Sequence, residues 1–185
     1  MTAGASLSVE NGVVANFPGP GIYVASTSKV SILDTTLRDN GFGIHLQGGA
    51  VGAISKTTIS GSTNTGIYLY GGIGGTTTTA TISDTTISDS YFDGIRAFSN
   101  VPNANVYAAV VRSTLSNNGY LGISVDANVA STVLLTLSES MVARSSIGLY
   151  ANDSNAGVKL ETLGNNTVRQ NGTNTSGTIA AVPLL

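Results

Sequence analysis

The feature of this sequence that most constrains its fold is a seven-copy internal repeat with a period of about 26 residues. Gly-Ile marks five copies, beginning at Gly21, Gly43, Gly66, Gly94 and Gly122, and Gly148-Leu149 marks a sixth. An aliphatic residue lies seven or eight positions before the Ile or Leu of each, and Val168 begins a seventh copy. A fixed period of this length is typical of a solenoid. The repeat therefore predicts one domain over residues 1–185 in which each copy forms one coil.

Each copy contains three short apolar-polar alternations separated by turn residues. In the second copy these are centred on Ile32, Leu37 and Ile44, and Asp39-Asn40-Gly41 supplies a turn. Because side chains on a strand alternate between two faces, the three aliphatic residues are predicted to point into a common core. No segment carries the 3.6-residue apolar period over the length of a helix. We therefore expect an all-β fold with about seven coils of three short strands each.

Equivalent residues of successive copies are predicted to stack in columns along the solenoid. The first strands supply an inward column, which contains Val9, Ile32, Ile54, Ile82, Val110, Leu137 and Leu163. Two positions later comes a corner column of polar and charged residues, which contains Asn11, Asp34, Lys56, Asp84, Arg112, Glu139 and Asn165. We interpret the corner column as a structural ladder, because exposed charge pairs contribute only about 0–1 kcal/mol each.

Composition excludes several classes of function. The formal net charge is −2 and only 10% of residues are charged, so there is no basic stripe for nucleic acid. The absence of cysteine excludes disulfides and thiolate metal sites. The sequence contains no apolar run of 18 residues, so no membrane-spanning segment is predicted. The N-terminal sequence lacks the basic and apolar regions of a signal peptide. No cofactor is expected.

The repeat resembles a known family. An Ile, a second Ile or Leu five positions later, and a closing Gly-Ile-x-Leu or Gly-Ile-x-Val recur over residues 7–179. This pattern is similar to that of the right-handed parallel β-helix repeat proteins, relatives of the pectate lyases, and in particular to an uncharacterised branch of secreted bacterial proteins. The resemblance implies a single-stranded, right-handed parallel β-helix. It also implies an extracellular or cell-surface location and a polysaccharide partner.

The outward position of the third strand predicts a candidate site, which we call the stripe. It contains Tyr23, His45, Tyr68, Arg96, Ser124 and Tyr150, with Tyr70, Phe98 and Asp126 two residues further along their strands. Aromatic rings pack on sugar faces, and arginine pairs with carboxylates. The candidate ligand-binding residues are therefore Tyr23, His45, Tyr68, Tyr70, Arg96, Asp126 and Tyr150.

Three functions remain open for this stripe. The preferred one is a non-catalytic scaffold module that holds a polysaccharide. The second is a lyase or epimerase acting on uronate polymers, in which His45, Tyr68 and Arg96 would supply base, acid and cation. The segment 91–96 resembles the active segment of alginate epimerases, although Ala97 and Phe98 replace the acidic-His motif that follows there. The third is a structural spacer of an adhesin or tailspike-like protein.

Two further expectations concern loops and ions. The longest copies carry their extra residues in 71–79 and 99–107, which we expect to wall a groove beside Tyr68 and Arg96. Asp93 and Asp126 are the nearest candidates for a calcium site, and two acids are too few. No metal site is predicted.

The ends of the solenoid predict an interaction between molecules. The repeat is in register by Leu7 and Val9, so little chain precedes the first coil. An open coil offers unpaired backbone groups. We therefore expect this chain to be the C-terminal part of a longer protein and its first coil to support end-to-end self-association. Val182, Leu184 and Leu185 are expected to cover the last coil.

Overall fold

A computed structural model describes residues 1–2 and 4–183, and within them the chain forms 22 short strands and no helix. The strands lie in three parallel sheets, and each coil contributes one strand to each sheet in turn. The all-β solenoid of about seven coils is therefore confirmed. The expected roles of Leu184 and Leu185 at the last coil lie outside the described residues.

The strands recur in the same order in every coil. Coils 1 to 3 comprise β1 (Ser6–Glu10), β2 (Val13–Ala15), β3 (Pro20–Ala25), β4 (Lys29–Leu33), β5 (Thr36–Arg38), β6 (Phe42–Gln47), β7 (Val51–Ser55), β8 (Thr58–Ser60) and β9 (Ile67–Gly71). Coils 4 and 5 comprise β10 (Thr77–Ser83), β11 (Thr86–Ser88), β12 (Ile95–Ser99), β13 (Asn105–Val111), β14 (Thr114–Ser116) and β15 (Leu121–Ala127). Coils 6 and 7 comprise β16 (Val133–Ser138), β17 (Met141–Ala143), β18 (Ile147–Ala151), β19 (Val158–Thr162), β20 (Thr167–Arg169) and β21 (Thr173–Ser176). The eighth strand of the first sheet, β22 (Ile179–Ala181), follows.

The predicted core columns form with one correction. In the first sheet the column is in register from Val9 to Leu137, and its members from Ile32 to Leu137 are buried. The partner of Leu137 in coil 7 is Thr162, so the assignment of Leu163 to this column is wrong. The first turn of coil 7 is one residue longer than that of coil 6, which displaces Leu163 from the register.

The corner between the first and second strands has a left-handed backbone. The corner residues Asn11, Asp34, Lys56, Asp84, Arg112 and Glu139 all have φ between 45° and 51°. In coil 7 Gly164, at φ 79°, occupies the corner, so the assignment of Asn165 is wrong for the same reason as that of Leu163. A buried hydroxyl follows the corner in coils 2 to 6 and donates to the carbonyl two residues before it. The donors are Thr35, Thr57, Thr85, Ser113 and Ser140, at 2.7–2.9 Å.

Asparagine side chains link neighbouring coils at the second turn, and two of them, Asn40 and Asn118, are buried. Asn118 accepts a hydrogen bond from the Ser90 amide at 3.2 Å and donates to the Ile87 carbonyl at 3.4 Å. Asn40 and Asn171 each make the equivalent pair of bonds to the coil that precedes their own. These side chains satisfy backbone groups at the bend between the second and third strands.

The two ends of the solenoid differ. At the first coil Met1 packs against the hydrophobic core, and its carbonyl accepts a hydrogen bond from the Ala25 amide at 2.8 Å. At the seventh coil Thr173 and Thr175 pair with Ile147 and Leu149, so hydroxyl-bearing residues end the apolar columns. End-to-end self-association through the first coil stays a prediction.

Candidate functional site

The stripe predicted on the third sheet is in register along its whole length. Backbone pairing joins Tyr23, His45, Tyr68, Arg96, Ser124 and Tyr150 in that order. Tyr70, Phe98 and Asp126 pair two residues further along the same strands. The structure nevertheless divides the stripe into two different surfaces.

The first surface is an aromatic ladder formed by Tyr23, Phe42, His45, Tyr68, Tyr70 and Phe98. Neighbouring ring centroids are 4.8–6.2 Å apart. Tyr68 with Tyr70, and Tyr70 with Phe98, are stacked within 17° of parallel. Because these rings pack on one another, they leave little free ring face for a ligand. The ladder therefore stabilises the sheet in the way that cross-strand aromatic pairs do.

His45 and Tyr68 are uncharged at neutral pH inside this ladder. Burial lowers the pKa of His45 to about 4, against a smaller opposite effect of the neighbouring Gln47 side chain. The Nε2 atom of His45 is buried and has no hydrogen-bond partner in the described part of the chain. Burial also raises the pKa of Tyr68 to about 12. A substrate therefore meets neither the Nε2 of His45 as an accessible base nor a readily ionised phenol here.

The second surface is a groove of about 1140 Å³ that crosses coils 3 to 6. Arg96, Asp126 and Tyr150 of the predicted site line it, whereas Tyr23, His45, Tyr68 and Tyr70 do not. The other lining residues are Asn64, Asp89, Ser90, Tyr91, Phe92, Asp93, Asn117, Gly119, Tyr120, Leu121, Ser124 and Ile147. The groove therefore lies over one half of the stripe and extends to the turns that precede the third strands.

The walls of the groove are not the two loops that the sequence suggested. Part of the extra length in 71–79 and 99–107 extends the first-sheet strands β10 and β13 to seven residues each. The rest borders the aromatic ladder, where the Tyr70 hydroxyl donates to Asn100 Oδ1 at 2.5 Å. The expectation that these loops wall the groove is therefore wrong.

The candidate ligand-binding residues predicted from the sequence did not include the residues that form the wall, although Tyr91 and Phe92 belong to the segment 91–96 that resembles the epimerases. Tyr91, Phe92 and Tyr120 are 70%, 45% and 55% exposed, and they lie in the second turns of coils 4 and 5. The signal was the variable spacing before Gly-Ile. In coils 1, 3, 4 and 5 the aliphatic residue of the middle strand precedes the Ile by eight positions, and in coils 2 and 6 it precedes the Ile or Leu by seven; in coils 4 and 5 the longer turn carries aromatic residues. The additional position holds Phe92 and Tyr120.

The floor of the groove contains charged groups in unequal environments. Asp93 is only 2% exposed, and its Oδ2 accepts a hydrogen bond from the Ser124 hydroxyl at 2.9 Å. Burial raises the pKa of Asp93, although the Ser124 bond and Arg96 oppose the shift. The Arg96 guanidinium lies 4.8 Å from the Phe98 ring centre and 3.9 Å from Asp126 Oδ2. Asn152 fixes Asp126 by donating to Oδ1 at 2.6 Å.

This arrangement suits recognition of a polar ligand with apolar faces. Exposed rings supply stacking surfaces, and the floor supplies acceptors and one guanidinium. Among the described residues no group of three or more His, Cys, Asp or Glu side chains is placed to hold a metal ion. Residues 1–2 and 4–183 also contain no helix long and apolar enough to cross a membrane.

Comparison with known proteins agrees with the architecture. The family model described as the right-handed beta helix region matches residues 1–180, and the chain belongs to that family. Comparisons with curated proteins and with solved structures returned no match. The family defines a right-handed β-helix, a rigid scaffold on which a binding site can lie.

Proposed function

We propose that this protein is a non-catalytic β-helix module that binds a polysaccharide in the groove of coils 3 to 6. The observation that carries the proposal is the row of exposed rings formed by Tyr91, Phe92 and Tyr120 beside a polar floor. Exposed aromatic residues gathered in one concave surface are typical of a binding site. Sugar rings present apolar C–H faces to aromatic side chains and hydroxyls to carboxylates, amides and guanidinium groups.

The dimensions of the groove favour an extended ligand. Neighbouring coils are about 4.8 Å apart, so a groove that crosses four coils is about 15 Å long. That length fits a short stretch of a linear glycan running along the solenoid. A polysaccharide ligand agrees with a secreted or cell-surface protein, and that location remains part of the proposal.

The separation of the predicted catalytic residues favours binding over lyase or epimerase chemistry. Arg96 lines the groove, whereas His45 and Tyr68 belong to the aromatic ladder. A proton-abstracting base has to lie within hydrogen-bonding reach of the substrate. His45 does not line the groove, so it does not lie within that reach of a ligand held there.

The test is calorimetric titration of the protein with neutral, amino and acidic oligosaccharides, followed by the same titrations of Tyr120→Ala. We expect at least one oligosaccharide to bind and the substitution to weaken that binding about fivefold or more, because a stacking face is lost. The matched control is Tyr107→Ala, which removes a Tyr that is 37% exposed on the first sheet. The proposal fails if no oligosaccharide binds, or if both variants bind as the unchanged protein does.

A further inference from the structure

The charge of the groove narrows the class of glycan. Its lining contains three carboxylates, Asp89, Asp93 and Asp126, and one cationic side chain, Arg96. Arg96 is partly engaged, because one guanidinium nitrogen lies 3.9 Å from Asp126 and the group lies over the Phe98 ring, although its Nε is buried with no hydrogen-bond partner in the described part of the chain. The groove therefore presents an excess of negative charge. A uronate polymer would bring further carboxylates to this surface and be repelled.

Asp93 is the most deeply buried charged residue of the groove. The residue is 2% exposed, and its side chain lines the groove. Ser124 holds Oδ2, whereas Oδ1 is buried with no hydrogen-bond partner in the described part of the chain. A buried carboxylate oxygen without a partner costs free energy. A hydrogen-bond donor carrying a positive charge is the chemistry that best offsets this cost.

We propose that the ligand of the groove is a glycan with free amino groups, whose ammonium groups are held by Asp93 and Asp126 while its sugar rings stack on the aromatic wall. This inference rests on the proposed glycan-binding function and names the ligand class of the same groove. An aromatic face attracts both cations and apolar surfaces. Tyr120 and Phe92 can therefore interact with the ammonium group of an aminosugar and with the C–H face of its ring.

The experiment compares three tetrasaccharides of equal length at low ionic strength by calorimetry. The tetramer of glucosamine carries ammonium groups, that of N-acetylglucosamine is its uncharged counterpart, and that of galacturonic acid carries carboxylates. We expect the glucosamine tetramer to bind about tenfold or more tighter than the acetylated one, which is the size of one charge-assisted hydrogen bond. The galacturonate tetramer is expected to bind most weakly.

Asparagine substitutions locate the effect. Asp126→Asn and Asp93→Asn keep side-chain shape and remove a charge, and each is expected to weaken the glucosamine tetramer about tenfold while changing the acetylated one less than twofold. The control is Asp34→Asn at an exposed left-handed corner, where asparagine is well tolerated and the net charge changes equally. If Asp93→Asn does not fold, the comparison of Asp126→Asn with Asp34→Asn still tests whether a groove carboxylate binds the ammonium groups.

The outcomes separate this inference from the proposed function. Equal binding of the glucosamine and acetylated tetramers, or tightest binding of galacturonate, would overturn the aminosugar assignment and leave glycan binding standing. Absence of binding to all three and to the wider oligosaccharide panel would overturn both. Tetralysine binding as tightly as the glucosamine tetramer would also overturn the assignment, because the groove would then select amines without selecting sugars.

Discussion

Glycine holds the same place at the start of the third strand in six successive coils, at Gly21, Gly43, Gly66, Gly94, Gly122 and Gly148. None of the six has a positive φ, so conformational freedom does not explain them. A Cβ at each of the six would lie 2.5–3.0 Å from a backbone carbonyl oxygen of the next coil. Close packing of one coil on the next, repeated along the axis, therefore requires glycine at this position.

We expect Gly94→Ala to lower the free energy of unfolding by about 1–3 kcal/mol, the usual cost of overpacking. The new Cβ would meet the Gly122 carbonyl oxygen at 2.6 Å and Asn118 Nδ2 at 2.8 Å. Urea denaturation followed by circular dichroism measures the change. Gly19→Ala is the matched control, since a Cβ there meets nothing within 4 Å and its φ is ordinary. Equal stability of the two variants would contradict the steric explanation.

Among the elements, the strands were predictable from the sequence and the turns were not. A strand position alternates between core and solvent, so a column such as Ile32, Ile54 and Ile82 can be identified by its spacing alone. An added residue in a turn has no such rule. In coil 7 it displaced Leu163 from its column, and in coils 4 and 5 it placed Phe92 and Tyr120 on the groove wall.

The sequence did not distinguish the half of the stripe that belongs to the aromatic ladder from the half that lines the groove. Tyr68 and Tyr150 are the same residue type at equivalent positions of the repeat. Their difference is in the neighbours: Tyr68 stacks on Tyr70 and Phe42, whereas Tyr150 follows Ser124 and faces the groove. Which rings pack together depends on side-chain directions across several strands, and a repeat pattern does not specify these.

The third sheet carries a pH dependence through His45, the only histidine in the chain. Its pKa is about 4 in the folded protein and about 6.5 when unfolded, because burial disfavours the charged ring. Between these two values the unfolded state binds more protons, so stability is full above pH 6.5 and falls as the pH drops towards 4. We expect a loss of about 1–3 kcal/mol over this window for a half-buried group.

Comparison with His45→Phe isolates this effect, because phenylalanine suits the ladder and does not titrate. The difference in unfolding free energy between the two proteins, from urea denaturation at pH 7.5 and 4.5, should shift in favour of the variant at the lower pH. The raised pKa of Asp93 acts in the opposite direction, and it cancels because both proteins contain it. A difference that is the same at both pH values would rule out His45 as the source.

For the whole molecule, stability is a sum over neighbouring coils, so the ends decide whether stacking stops. In coils 1 to 6 the third-sheet column from Ile22 to Leu149 is aliphatic, and in coil 7 Thr175 takes its place, with Thr173 two residues earlier paired to Ile147. Both threonines are exposed, and their hydroxyls can bond to water where an Ile or Leu would present an apolar surface. We interpret them as a polar cap that disfavours the addition of another coil.

This interpretation predicts that Thr175→Leu promotes association through the seventh coil. The substitution extends the aliphatic Leu149 column by one residue, to the exposed end of the seventh coil. A second molecule that stacked on this end would bury the new side chain. Light scattering over a concentration series should give a mass that rises more steeply than that of the unchanged protein. Thr81→Leu, which adds the same apolar surface on the exposed face of the first sheet, is the control and should leave the mass unchanged. If Thr81→Leu associates as strongly, general apolar exposure would account for the association, and the two threonines would have no specific role in ending the solenoid.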